Sequence, residues 1–130
     1  MIKIIVVEDN EMVRAGVVEL LNDQPDMQVV GDTEDGIKTL ALLETSIQAD
    51  IVLTDLNMEG MDGIQLTEQI SARHPIVKVI ILTMHLRSEF IKRGFDAGAM
   101  GFVLKSGNIS DLYSTIRRVF EGEQLVTAGL

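Results

Sequence analysis

The sequence predicts an α/β domain in which a parallel sheet carries helices on both faces. Three observations support this. Four short runs, Ile2–Val7 and residues 51–54, 77–82 and 100–104, are almost wholly apolar, and the first three are rich in β-branched residues. That is the habit of strands covered on both sides. Between these runs apolar residues recur at helical spacing, and such alternation builds a parallel sheet. Each run also stops at a residue able to deal with phosphate, metal or a proton: Glu8 and Asp9, then Asp55, Thr83 and Lys105.

The elements follow in order. Glu8-Asp9-Asn10 breaks the first strand, with Asn10 a candidate helix N-cap. Val13, Val17, Leu20 and Leu21 mark a helix to about Asn22, and residues 23–26 are a turn. Residues 27–31 read as a short, partly polar strand near an edge, and 32–36 as a loop. Ile37, Leu40, Leu43 and Ile47 mark a second helix. The next strand delivers Asp55, and a loop over residues 57–63 holds two glycines and two acids. Ile64, Leu66 and Ile70 belong to a third helix, closed by His74-Pro75.

The strand at 77–82 leads to Thr83. Ser88 is a candidate cap for a helix carrying Phe90, Ile91 and Phe95, which Gly94 and Gly98 weaken or end. Residues 100–104 form the last predicted strand and Ser106-Gly107-Asn108 a turn. Ile109, Leu112, Ile116, Val119 and Phe120 line the final helix, whose C-terminal half suits Arg117 and Arg118. The boundary expected from this pattern is a domain over residues 1–122, with 123–130 the start of a linker or tail.

Composition narrows the function. The 130 residues suffice for one domain with a real core, and 46% of them are hydrophobic, which argues against disorder. A net charge of −9 argues against gripping nucleic acid or anionic lipid by charge. The absence of cysteine excludes thiol chemistry and suits a reducing compartment. The chain starts directly on a strand pattern, without a basic-then-apolar leader, and has no apolar run near the roughly 20 residues of a membrane helix. The expectation is a cytoplasmic protein that does not engage a membrane.

Taken singly, the strand-end residues have plainer readings. An acidic pair after a strand is often a helix start, a lone Asp a cap, a lone Thr structural and a lone Lys solvated. Strand ends of a parallel sheet converge, however, and ligands bind there. Three acids brought together repel: two unit charges about 4 Å apart cost on the order of 4 kcal/mol at an effective dielectric near 20. A hard divalent cation offsets that, and Mg²⁺ takes a few carboxylates plus water and phosphate oxygens. Glu8, Asp9 and Asp55 are expected as ligands, with the main-chain carbonyl of Asn57 completing the protein's share. Asp55 is the expected nucleophile, forming an acyl-phosphate, with Thr83 and Lys105 holding the transferred group. Asn57 and His85 each stand two residues beyond a site residue. With Met84, they are expected to tune the access of water. His74 and His85 lack ligand spacing and read as surface residues, and Met58 and Met61 are expected to pack down the Asp55 loop.

Glu8-Asp9, Asp55 within Asp-Leu-Asn-Met-Glu-Gly-Met-Asp-Gly, Thr83 and Lys105, in that order, resemble the receiver domain of two-component response regulators from Ile2 to about Glu121. The resemblance implies a flavodoxin-like (βα)5 fold, a doubly wound five-stranded parallel sheet of strand order 2-1-3-4-5. It implies that a sensor histidine kinase supplies a phosphoryl group to Asp55 with Mg²⁺, or Mn²⁺ in its place. It further implies that Thr83 and Lys105 contact that group, and that Phe102, three residues before the lysine, changes rotamer as a switch. Such a protein is not an enzyme toward other substrates; it catalyses only its own phosphorylation and slow dephosphorylation.

The segments over residues 98–106 and 116–123 are similar to the NarL/FixJ subgroup, whose receivers precede a LuxR-type helix-turn-helix. The expected partners are thus a histidine kinase, a second copy on phosphorylation, and DNA only through a C-terminal domain absent from this chain. Two departures stand out. Glu59 and Ser106 occupy positions where many receivers have proline. A haloacid dehalogenase-type phosphatase also combines Asp, Thr, Lys and an acidic pair. It usually has a second Asp where Asn57 stands, and its acidic pair comes late in the chain. A flavodoxin-like FMN carrier would want a hydroxyl- and glycine-rich loop where Glu8 and Asp9 stand.

Overall fold

The computed structural model describes residues 1–127. The elements are β1 (Ile2–Val7), α1 (Glu11–Asn22), β2 (Met27–Thr33), α2 (Gly36–Leu43), β3 (Ile51–Asp55), α3 (Gly63–Arg73), β4 (Lys78–Thr83), α4 (Ser88–Ala97), β5 (Gly101–Leu104), α5 (Ile109–Phe120) and β6 (Leu125–Thr127). The strands form one sheet of order β2-β1-β3-β4-β5-β6, and every neighbouring pair is parallel. The first five strands keep the expected order, and β6 is an addition to the expected five. It lies past the boundary expected at Gly122 and pairs with the outer edge of β5, setting Val126 opposite Phe102.

The continuous apolar strands divide by the period of two. Ile4 and Val6 of β1, Ile51 and Leu53 of β3, and Ile80 of β4 face α1 and α5, where Leu21, Leu112, Ile116 and Val119 meet them. Ile5, Val7, Val52 and Ile81 face the other way, onto Leu40 and Leu43 of α2 and Ile64, Leu66 and Ile70 of α3. Alternation within an all-apolar run thus gives two cores, one on each side of the sheet.

Local chemistry sets the helix ends. Asn10 caps α1 by accepting from the Val13 N–H at 3.0 Å. Asp62 and Gln65 form a reciprocal capping box at the start of α3, satisfying two donors that the helix itself leaves free. Three expectations about helices change. The second helix ends at Leu43, so Ile47 lies outside it, and Ile37 is 70% exposed. The fourth helix has Arg87 at its N-cap position and Ser88 as its first residue, with no side-chain cap bond. Gly98, at φ 114°, ends that helix as expected. Gly94, by contrast, is a buried helical residue against which the Phe102 ring lies.

Candidate functional site

The carboxyl ends of β1, β3 and β5 bring Glu8, Asp9, Asp55 and Lys105 into one cluster. One carboxylate oxygen from each of the three acids lies within 4.8 Å of the others. Glu8 and Asp55 are buried, at 5% and 8% exposure, while Asp9 is exposed. Lys105 Nζ stands 2.8 Å from Glu8 Oε1 and 2.9 Å from Asp55 Oδ2. A single ammonium therefore bridges the two buried carboxylates.

The backbone around the cluster is tied in place. The Glu8 N–H donates to the Thr33 carbonyl at 3.0 Å, and the Lys105 N–H to the Thr83 carbonyl at 2.7 Å. Behind Asp55, the Gly63 N–H donates to the Leu56 carbonyl at 2.8 Å. The start of α3 closes so tightly there that a Cβ at Gly63 would collide with the Asp55 carbonyl. Met58 is buried beneath the loop and Met61 packs against the same core, as their positions beside Asp55 suggest.

The electrostatics follow from burial and the shared ammonium. Burial pushes the Asp55 carboxyl above its ordinary value, against the opposing pull of Lys105. Burial also acts to raise Glu8, but Lys105 and the Asn10 N–H outweigh it and hold that group below the usual range. Contact with Glu8, then burial, lift Asp9. Burial alone would lower Lys105; its two carboxylate partners raise it instead. These groups form one charge network in which two buried acids and one cation are mutually stabilised.

The donor set suits a hard divalent cation: three carboxylate oxygens close together, two of them on fixed strand ends, and one exposed toward solvent. In front lies a cleft of about 620 Å³ lined by Asp9, Asn10, Glu34, Asp35, Glu59 and Gly60. Glu59 thus adds an acid to the mouth of the site.

The remaining predicted residues divide. Thr83 is buried at the end of β4, and its hydroxyl is engaged by the following loop. It donates to the His85 carbonyl at 3.0 Å and meets the His85 N–H at 3.3 Å. Met84 and His85 are exposed on that loop, and Asn57 is exposed beyond Asp55. His74 is partly buried as the C-cap of α3, 3.3 Å from Glu44 Oε1.

The Phe102 ring lies inside, with no exposed surface, edge-on to Phe95 at 5.3 Å between centroids. It can lie there because Gly94 of α4 leaves the slot open.

Arg14 was not anticipated as part of the site. Its Nη1 donates to the Glu8 carbonyl at 2.8 Å and its Nε to Asp32 Oδ2 at 3.0 Å. The available signal was a cation in the first turn of a helix that starts immediately after the acidic pair.

Comparison with known proteins points one way. The family model described as the response regulator receiver domain matches residues 4–117. The transcriptional regulatory protein LiaR of Bacillus subtilis is 36% identical over 123 residues, covering 95% of this chain and 58% of LiaR. The chain therefore spans less than two thirds of that relative's length. A crystal structure of a LuxR-family two-component response regulator from an Aurantimonas species superposes with a TM-score of 0.88 at 33% identity, covering 95% of this chain and 87% of that one. The isolated receiver domain of RcsB from Salmonella enterica serovar Typhimurium, determined with the phosphomimetic BeF3−, gives 0.86 at 28% identity, covering 97% and 93%.

Proposed function

This chain belongs to the response regulator receiver family, and from that premise we propose that Asp55 accepts a phosphoryl group from a sensor histidine kinase. The observation that carries the reading is the placement of Asp55. It ends a central strand, is nearly buried, and has Lys105 Nζ 2.9 Å away and two further acids beside it. An Asp55 carboxylate oxygen attacks the phosphorus of a phosphohistidine. The O–P bond forms as the P–N bond breaks, and the leaving electron pair stays on the imidazole nitrogen, which takes a proton from solvent.

Glu8, Asp9 and Asp55, with the Asn57 main-chain carbonyl, would hold Mg²⁺, or Mn²⁺ in its place. When bound, the cation supplies positive charge that offsets repulsion between carboxylate and phosphoryl oxygens. Lys105 holds a phosphoryl oxygen as it now holds Asp55 Oδ2. Thr83 turns its hydroxyl from His85 to the phosphoryl group. Movement of Thr83 frees space beside β5, and a rotamer change of Phe102 carries the response to the loop after β4 and to α4, which seats on the ring. Asn57, His85 and Met84 border the site and set the lifetime of the acyl-phosphate by admitting or excluding water.

The domain acts on no other substrate and works in the cytoplasm; among the described residues no helix is long and apolar enough to cross a membrane. Its output is transcriptional control. The relatives that it matches are longer, one of them is named a transcriptional regulatory protein, and RcsB has been determined bound to a promoter. Contact with DNA is thus made by a helix-turn-helix domain outside this chain, and phosphorylation promotes self-association.

The test is labelling by a small phosphodonor such as acetyl phosphate with Mg²⁺. One acid-stable, base-labile acyl-phosphate is expected, lost in Asp55→Asn and slowed sharply by chelator. Labelling of Asp55→Asn at the wild-type level would overturn the reading.

A further inference from the structure

We propose that Arg14 is a positioning residue for the acidic pair. By holding the main-chain carbonyl of Glu8, it fixes the peptide between Glu8 and Asp9 and so aims Asp9 at the cation. The proposal rests on the reading of Glu8, Asp9 and Asp55 as the cation site.

Inside a sheet each carbonyl has a ladder partner, and a partly buried carbonyl beyond the last rung needs another donor. The pairing of β1 with β3 stops at Val7, and Glu8 follows. Its N–H is taken by the Thr33 carbonyl of β2 at 3.0 Å. Its carbonyl is taken by Arg14 Nη1 at 2.8 Å. Glu8 is therefore clamped on both sides, on the second side by a side chain from the helix that the turn leads into.

Arg14 is itself held. Its side chain is only 18% exposed, and Nε is 3.0 Å from Asp32 Oδ2 on β2. A planar guanidinium serves both targets with separate donors and stays charged. The three acids also differ in what fixes them. Glu8 is oriented by Lys105 at 2.8 Å and by the Asn10 N–H at 3.1 Å. Asp55 is oriented by Lys105 at 2.9 Å. Asp9 is exposed; its side chain touches only Glu8 among the site's groups, and the peptide plane that Arg14 pins sets where its backbone presents it. Groups that orient metal ligands affect affinity strongly although they never touch the ion.

The plainer alternative is that Arg14 only staples α1 to β2 through Asp32. Two variants separate the readings. Arg14→Met removes both bonds, whereas Asp32→Asn removes the ion pair and leaves the bond to Glu8. Mn²⁺ binding followed by electron paramagnetic resonance should weaken about 10-fold or more in Arg14→Met and less than about twofold in Asp32→Asn. Amide exchange at Asn10, whose N–H donates to Glu8 Oε2 at 3.1 Å, should accelerate only in Arg14→Met. Ile51 and Leu53 should stay protected in both variants, showing that the sheet is intact.

Wild-type affinity and wild-type exchange in Arg14→Met would overturn the proposal. Equal losses in the two variants would also overturn it, leaving a staple. Failure of the wild-type domain to bind Mn²⁺ would instead bring down the cation reading. Exchange at Asn10 would then decide by itself whether Arg14 fixes the turn.

Discussion

The ammonium of Lys105 lies 2.9 Å from Asp55 Oδ2, and it is also the group that neutralises Glu8. Lys105→Met would leave two buried carboxylates facing one another. We expect a stability loss on the order of 2–3 kcal/mol at neutral pH, below the cost of breaking a fully buried pair because Lys105 keeps contact with solvent. Burial already raises Asp55, and loss of the ammonium raises it further. A group whose folded pKa is raised destabilises the fold above that pKa, and protonation relieves it. The deficit should therefore shrink as pH falls through the titration of Asp55. Urea denaturation across that range checks the sign; a deficit that grew on acidification would contradict it.

Phe102 and Gly94 should behave as one unit. A Cβ at Gly94 would strike the ring, so Gly94→Ala should cost roughly 1–3 kcal/mol by overpacking, despite the gain of up to about 1 kcal/mol in helix propensity. Phe102→Leu should relieve much of that cost when combined with it. A double-mutant cycle by chemical denaturation measures the coupling; additive effects would mean that the two positions do not share the slot.

Thr83 can serve a phosphoryl group only by leaving His85. Thr83→Ala should accept the phosphoryl group at close to the wild-type rate but lose most of the phosphorylation-dependent change in the loop after β4 and in α4. Backbone chemical shifts with and without phosphodonor report this directly, read against the wild-type response. A variant that responds as fully as the wild-type domain would place the relay elsewhere.

Arg117 grips the turn before β2. Its Nε is 2.8 Å from Asp26 Oδ2, and its Nη2 is 3.0 Å from Asp26 Oδ1 and 2.8 Å from Gln24 Oε1. The Arg117 guanidinium holds the Asp26 carboxyl below its ordinary 3.8. The stabilisation is thus fully present above 3.8 and fades as pH falls through the lower folded value. Both side chains are more than two fifths exposed, so Arg117→Ala should cost only roughly 0.5–1 kcal/mol. Thermal melts at neutral and strongly acidic pH should show that difference at the first and its loss at the second.

What the sequence disclosed and what it did not have physical causes. β1, β3 and β4 were legible because they are buried on both faces, which leaves an apolar run that nothing interrupts. Asp55, Glu8 and Lys105 were legible because each ends such a run and the ends of parallel strands converge. β6 was hidden: Leu125–Thr127 is too short to show a period, and it is held by pairing with β5. Ile37 and Ile47 fit helical spacing without contributing to the core of α2, because spacing reports a face and not its partner. Gly94 looked like a weak point in a helix, whereas its lack of a side chain makes room for Phe102. Arg14 was hidden because its target is a backbone carbonyl, which leaves no mark in the sequence.

Reductive trapping identifies the residue that carries the phosphoryl group, which is Asp55 on the reading above. Borohydride reduces an acyl-phosphate to the alcohol, so treating the phosphorylated domain and sequencing its peptides by mass spectrometry marks the acceptor. Homoserine is expected at position 55 and nowhere else, dependent on the phosphodonor and on Mg²⁺. Homoserine at position 9, or an Asp55 that is never reduced while the protein carries acyl-phosphate, would contradict it.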